Sequence, residues 1–422
     1  MGMNPFELKP KNIEETYVDI KNLSSKPYNK NSTDPYTKLR VILANGAEFE
    51  QVWFGHQLSR RTSDNELRRQ VAAIRRSEQQ QQKRISSLKP INESILEHTI
   101  GYEMLAVDLT IALAKHEENE VVQKALNFAL LEDFDHLYRY ANLLEEDKGI
   151  KAEKLVGKYV EIMPGRPTIS EHRHPHDDIR NHITDKDSLL TKLNVGIITA
   201  AEQQTMNYYM NNAIFYDNEM GRKLYSEIAM IEEQHVTQYG GLMNTKTTWL
   251  ECLLMHEYTE CYLYYSNYET ETDERIKALW EELFEQEVAH LHKAANLLQE
   301  YDNKQWEQII PDGTFPELLK LTPDKEYLRG VIKDSVYLTA DKEDYIEAKR
   351  LGEDSDFYKF QQIFIKKDAD VPSHKVIKNH IAQKGEDYRY QKGEHPTDEL
   401  NDRKEDNTSV GRITGISDKN ND

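Results

Sequence analysis

The sequence predicts an all-α protein built as two tandem four-helix bundles from an internal duplication. Three observations predict it. Long segments repeat apolar residues every three or four positions, the spacing of a helix with one buried face. Glycine and proline are sparse, 18 and 13 in 422 residues, while 30% of the chain is charged, a composition that favours helices. Two pairs of segments also match at one shift of 154 residues: ILEHTIGYE at 95–103 with WLECLLMHE at 249–257, and HLYRYANLL at 136–144 with HLHKAANLL at 290–298.

Taken in order, residues 1–35 are polar and irregular, with Ser24-Ser25-Lys26-Pro27 and Asp34-Pro35, and read as an extended N-terminal arm. The first copy, 36–187, holds helices at about 37–60, 64–88, 93–117 and 119–147. The second, 188–340, holds them at about 188–215, 218–239, 247–269 and 272–301. Asp64, Asp217 and Thr247 have the side chains of helix start caps. Lys89-Pro90 and Gly240-Gly241 are stops. Residues 341–422 read as an acidic C-terminal tail, expected to be disordered toward its end, because large apolar residues are few from about 366 onward.

The charge balance narrows the function. With 54 Lys+Arg against 74 Asp+Glu the net charge is −20. Such a surface repels phosphates, which argues against a nucleic-acid or anionic-membrane partner. No apolar run reaches the 18 or more residues of a membrane span, and the first fifteen residues hold no apolar stretch of a secretory signal. A cytoplasmic location is expected. The only cysteines, Cys252 and Cys261, lie nine residues apart on one helix and cannot bridge each other. Without a Cys-x-x-Cys pair, thiolate zinc, rubredoxin-type iron and iron–sulfur clusters are excluded within this chain.

The chemistry-bearing residues lie in the second copy, in two Glu-x-x-His motifs, Glu232/His235 and Glu287/His290. A spacing of three sets both side chains on one helix face. Thirty residues before each stands another glutamate, Glu202 and Glu257. All four carboxylates fall on apolar stripes: Glu287 among Leu283, Phe284, Leu291 and Ala294, Glu232 among Ile228, Ala229 and Val236, Glu202 with Ile198 and Met206, Glu257 with Leu253, Leu254 and Cys261. An ionised carboxylate on such a stripe is costly unless a cation compensates it. An oxygen-rich set with two imidazoles suits iron or manganese better than structural zinc.

On these motifs the sequence resembles the ferritin-like, di-metal carboxylate superfamily, and its rubrerythrin-like branch more than the storage ferritins. The resemblance covers 188–301 well and 36–147 partially. It implies a ferritin-like fold in each copy and two iron ions, or alternatively manganese, held by Glu202, Glu232, His235, Glu257, Glu287 and His290. Glu232 and Glu287 would bridge, Glu202 and Glu257 would be terminal carboxylates, and the two histidines would each add one nitrogen. It further implies a reaction with peroxide or dioxygen by a peroxidase or oxidase. Because rubredoxin cysteines are missing, a separate protein would then donate electrons. Iron storage, a di-manganese catalase-like activity and a non-catalytic helical scaffold are the alternatives, and a homo-oligomer is compatible with each.

The first copy departs from the pattern. Glu48 and Glu103 keep the single-glutamate positions, Asp133/His136 replaces one motif, and Glu78 is followed by Gln81 where histidine should stand. Two readings stay open: a second metal site of Glu48, Glu78, Glu103, Asp133 and His136, or a structural duplicate whose carboxylates are neutralised by Arg68, Arg69, Arg75 and Arg76. How the hairpins pair is open too. The connector between the second and third helices of each copy is short for a parallel crossover, whereas 148–187 is long enough for one. Pairing across copies would combine Glu103, Asp133, His136, Glu202, Glu232 and His235. Two weaker features remain. His172, His174 and His176, with Asp177 and Asp178, form a histidine-rich loop. Five tyrosines, Tyr258, Tyr262, Tyr264, Tyr265 and Tyr268, crowd one helix, and Tyr209, on the stripe of Glu202, is the tyrosine expected beside the metal.

Overall fold

The computed structural model describes residues 2–166, 173–365, 370–385, 387 and 389. The described residues are mostly helical: α1 (Pro35–Arg61), α2 (Asn65–Ser86), α3 (Ile95–His116), α4 (Glu120–Lys148), α5 (Glu153–Val156), α6 (Leu189–Phe215), α7 (Glu219–Gly240), α8 (Trp249–Thr270), α9 (Glu274–Asp302), α10 (Lys325–Ser335), α11 (Asp356–Phe364) and α12 (Pro372–Lys384). Strands β1 (Leu338–Asp341) and β2 (Asp344–Glu347) form one antiparallel pair, with Leu338 opposite Glu347 and Asp341 opposite Asp344. None of the helices among the described residues is long and apolar enough to cross a membrane.

The eight long helices lie within two residues of their expected bounds, and local chemistry explains their starts. Asp64 caps α2 by accepting the Leu67 N–H at 2.8 Å. The caps of α7 and α8 fall one residue later than expected. Asn218 accepts the Gly221 N–H at 2.8 Å, and Thr248 accepts that of Glu251 at 3.2 Å while Glu251 accepts the Thr248 N–H at 2.7 Å. A capping oxygen must stand two or three residues before the N–H it satisfies, so the neighbour in register displaces Asp217 and Thr247.

The chain divides into two compact units. The first comprises 1–93, 183–204 and 243–321, the second 94–182, 205–242 and 322–422. These are not the expected blocks 36–187 and 188–340, because each unit draws on both halves of the chain. The short connectors account for it. Residues 87–94 and 241–248 are each short for a parallel crossover, and α2 and α3, like α7 and α8, fall in different units. Helix α6 gives residues 189–204 to the first unit and 205–215 to the second.

In the first unit α1 packs on α2 and α8, α8 on α9, and α9 on α2. Leu39, Ile42 and Leu43 of α1, Val71 and Ile74 of α2, Leu253 and Leu254 of α8, and Leu283, Leu291 and Ala294 of α9 are all buried. The N-terminal segment is part of this unit rather than a free arm. Phe6 stacks on Trp306 with ring centroids 3.8 Å apart, and the buried Tyr28 donates to Glu93 at 2.7 Å. In the second unit α3 packs on α4 and α4 on α7, with α10 and α12 also on α4.

The expected tail beginning at 341 needs correction. Residues 341–365 and 370–385 carry β2, α11 and α12, and α12 packs on α4 and α7 through the buried Val376 and Ile377. So few apolar residues suffice because α12 buries only one narrow face, and Ser373 anchors its start. The Ser373 N–H and hydroxyl donate to Glu227 at 2.8 and 2.7 Å. Residues 390–422 lie outside the described residues.

Candidate metal centres

Each unit gathers its own group of acids and histidines. In the first, α2 presents Glu78, α8 presents Glu257, and α9 presents Glu287 and His290, with one ligand atom of each lying within 4.8 Å of the others. A second group overlaps it: Glu48 of α1, Glu78, and Glu260 of α8 satisfy the same limit. Glu78 belongs to both. All six residues are essentially excluded from solvent.

The imidazole orients the group. His290 Nδ1 stands 2.7 Å from Glu78, 3.2 Å from Glu287 and 3.8 Å from Glu257. Gln81, in the place where the motif calls for histidine, turns its amide to one of the same carboxylates, donating to Glu287 at 2.6 Å and also to the Gln286 side-chain carbonyl at 3.1 Å. Gln51 donates to Glu257, and Tyr264 to Glu48. Five buried carboxylates face one imidazole, and no lysine or arginine pairs with any of the five among the described residues. Burial, reinforced by Glu78, pushes the acids of Glu48, Glu257 and Glu260 well above the usual carboxylate range. Burial works against a charge on His290, yet Glu287 and Glu78 hold its pKa well above normal. Both oxygens of Glu260 lack a hydrogen-bond donor. Such an excess of buried negative charge is relieved by protons or by cations, so the residues present fit a divalent metal.

In the second unit Glu103 of α3, Asp133 and His136 of α4, and Glu232 of α7 form one group within 4.8 Å, and Asp133, Glu232 and His235 meet the same limit. Here Asp133 and Glu232 are common to both. His136 Nδ1 lies 3.0 Å from Glu232, and His235 Nδ1 lies 3.2 Å from both Asp133 and Glu232. Burial alone would raise the Glu232 acid, but His136 and His235 hold it down to about 2. Burial raises Asp133. Behind His235, Glu132 approaches Nε2 at 2.8 Å and is itself met by Arg173 at 3.3 Å. All three histidines aim Nδ1 at carboxylates, and at His235 the other ring nitrogen meets Glu132, the outer contact that supports a metal-ligating imidazole. These groups can hold a metal ion.

The placement redistributes the expected ligands. Glu257, Glu287 and His290 come together with Glu48 and Glu78, and Glu232 and His235 with Glu103, Asp133 and His136. Of the residues expected to form one cage, Glu257, Glu287 and His290 fall in a group of the first unit and Glu232 and His235 in a group of the second. Glu202 is buried on α6 and is absent from the group around Glu257 and Glu287. Of the other expected set, Glu48 and Glu78 fall in a group of the first unit and Glu103, Asp133 and His136 in a group of the second. Tyr209 does meet a carboxylate, donating to Glu103. The arginines of α2 do not neutralise Glu78. Arg69 pairs with Glu66 at 3.0 Å, while Arg68, Arg75 and Arg76 donate to Asn65, Ser59 and Gln79.

Two residues escaped the sequence reading. Glu260 follows Glu257 by three and so shares its face, a signal that was legible. Glu132 adjoins Asp133 and carried none. Of the histidine-rich loop, His172 lies outside the described residues, and His174 accepts the His176 N–H at 3.1 Å as a turn cap. The two cysteines are free. No protein-family model, no curated protein and no solved structure matches the chain.

Proposed function

We propose that the chain is an internally duplicated, ferritin-like iron protein in which each unit holds a carboxylate-bridged pair of metal ions and reacts with peroxide or dioxygen. The observation that carries this reading is the overlap of two ligand groups in each unit, sharing Glu78 in one and Asp133 and Glu232 in the other. A carboxylate common to two groups supports a bridging role, since it would reach both ions. In the first unit Glu48, Glu257, Glu260, Glu287 and His290 would complete the set, and in the second Glu103, His136 and His235. Glu202, thirty residues before Glu232, remains the single-glutamate position that the family pattern assigns to that motif. When bound, a pair of ferrous ions supplies two electrons to an O–O bond. The chain's own residues hold the ions and exclude water with the surrounding apolar stripes.

The donor sets differ, with one nitrogen among five carboxylates in the first unit and two among fewer carboxylates in the second. Harder oxygen ligands favour manganese, which supports a manganese-loaded first centre as a second reading. The test is metal analysis of purified full-length chain after anaerobic loading with ferrous or manganous ion. About four ions per chain, with an optical band that appears on adding peroxide and bleaches on reduction, supports the redox reading. Many irons per chain supports storage, and no retained metal supports a scaffold.

A further inference from the structure

Three arginines converge beside the stacked rings of Phe128 and Tyr345, whose centroids are 4.3 Å apart. Two of them have hydrogen-bond partners. Arg166 donates to the carbonyls of Phe128 and Ser335 at 2.5 and 2.6 Å. Arg173 donates to Gln234 and Gln238 and pairs with Glu132 and Asp178. Arg180 is different. It is 6% exposed, its guanidinium carbon lies 4.4 Å above the Tyr345 ring, and none of its three side-chain nitrogens has a hydrogen-bond partner. The Tyr345 hydroxyl is likewise buried and unpartnered. The two acids nearest in sequence are already engaged: Asp177 accepts the backbone N–H groups of His174 and Lys342, and Asp178 pairs with Arg173 at 2.9 Å.

A buried guanidinium without a partner is costly, and five N–H donors in a planar fork match a carboxylate. Arg180 and Tyr345 line a cavity of about 580 Å³ between α4, α10 and the β1–β2 hairpin, within the size range of small-molecule sites. Its rim has the opposite charge. Glu326, Asp334, Glu343 and Asp344 line it and are exposed, against a single lysine, Lys124. That rim repels a plain anion and attracts a cation. We propose that this cavity binds a small zwitterion, its carboxylate against Arg180 and the Tyr345 hydroxyl and its ammonium group toward the acidic rim. The proposal is independent of any metal.

The test is calorimetric titration of the full chain with 6-aminohexanoate, hexanoate and hexylamine as probes. Saturable binding of 6-aminohexanoate at least tenfold tighter than either single-charge probe is expected, with Arg180→Met abolishing it and Tyr345→Phe weakening it. Should Arg180→Met fail to fold, the exposed pair Asp334→Asn and Asp344→Asn decides, because the preference for 6-aminohexanoate over hexanoate must then fall. An unchanged preference, equal binding of hexanoate, no saturation by any probe, or full binding by folded Arg180→Met each overturns the proposal.

Discussion

His290 of α9 holds its Nδ1 2.7 Å from Glu78 of α2, so a histidine from the second half of the sequence completes the acid motif that lacks one in the first. Gln81 stands where that motif would have supplied its own histidine. Its amide reaches Glu287 instead, and the two helices therefore exchange polar contacts in both directions through one buried core.

Removing the Gln81 amide exposes how much of that core is held by uncharged donors. Gln81→Leu deletes the bonds to Glu287 and Gln286 and leaves their buried oxygens short of a donor, at a cost of about 1–3 kcal/mol. Urea denaturation of metal-free protein should show the midpoint falling with little change in slope. An unchanged midpoint would mean that water replaces the amide at no cost.

A buried ion pair nearby makes a sharper case. Glu271, at the end of α8, accepts from Thr37 at 2.5 Å, from Arg40 at 3.3 Å and from the Trp280 indole at 3.1 Å, and also takes the N–H groups of Thr272 and Asp273. Glu271→Ala strands the buried Arg40 charge, which costs about 3–5 kcal/mol. Glu271→Gln keeps most of the acceptors and should cost less than half as much. The same denaturation experiment separates them, and equal losses in both variants would contradict the assignment.

Much of this was legible in the residues. Periodicity located all eight long helices, and Glu-x-x-His spacing picked out Glu232, His235, Glu287 and His290, every one of which lies buried in a cluster. What periodicity does not encode is which stripe meets which. Glu78 and Glu257 carry no local mark that they face each other, because a helix with a buried acid on its stripe packs equally well, by pattern alone, against several partners. The decision rests on connector lengths, and only the mismatch at 87–94 and 241–248 hinted at the pairing across halves. The β1–β2 pair and α12 were missed for another reason: their apolar residues are too few to rise above a polar background.

Stability of the metal-free protein should fall as the solution becomes more alkaline. Burial raises the acids of Glu48, Glu257 and Glu260 far above their ordinary value, and Glu287 and Glu78 raise His290. Each such group binds a proton in the folded chain at a pH where the unfolded chain has released it. Its contribution is complete below the unfolded pKa and is lost as pH rises through the folded one. Glu232, held at about 2, has the opposite sign: its contribution is present above the unfolded value of 4.5 and disappears only as pH falls toward 2. Between pH 5.5 and 8 Glu232 stays charged while the raised groups release protons, opposed in part by His56, His174 and His380, which burial lowers and which favour folding as pH rises. Chelator-treated protein should melt lower at pH 8, at about 2–4 °C per kcal/mol of the net loss for a unit of this size. Ferrous or manganous ion added at pH 8 should restore the melting temperature by replacing the protons. A melting temperature independent of pH would contradict the burial of these acids.

Glu132 tests the second centre without replacing a ligand residue. In the metal-free protein both ring nitrogens of His235 face carboxylates, Nε2 toward Glu132 and Nδ1 toward Asp133 and Glu232. With an ion bound, a proton kept on Nε2 by Glu132 would leave Nδ1 free to ligate. Arg173 in turn holds Glu132. Loss of such a support to a ligating imidazole lowers metal affinity about 10–100-fold. Glu132→Leu should therefore weaken metal retention by the second unit over that range. Glu132→Gln, which still accepts from Nε2, should recover most of it. Competition with a chelator, run in a His290→Ala background so that the first unit contributes little, reads the effect directly. Circular dichroism of the metal-free variants checks that the helices are intact. If Glu132→Leu and Glu132→Gln lose equal affinity, the ion pair with Arg173 rather than the imidazole proton is what matters. If neither loses any, His235 does not ligate through Nδ1.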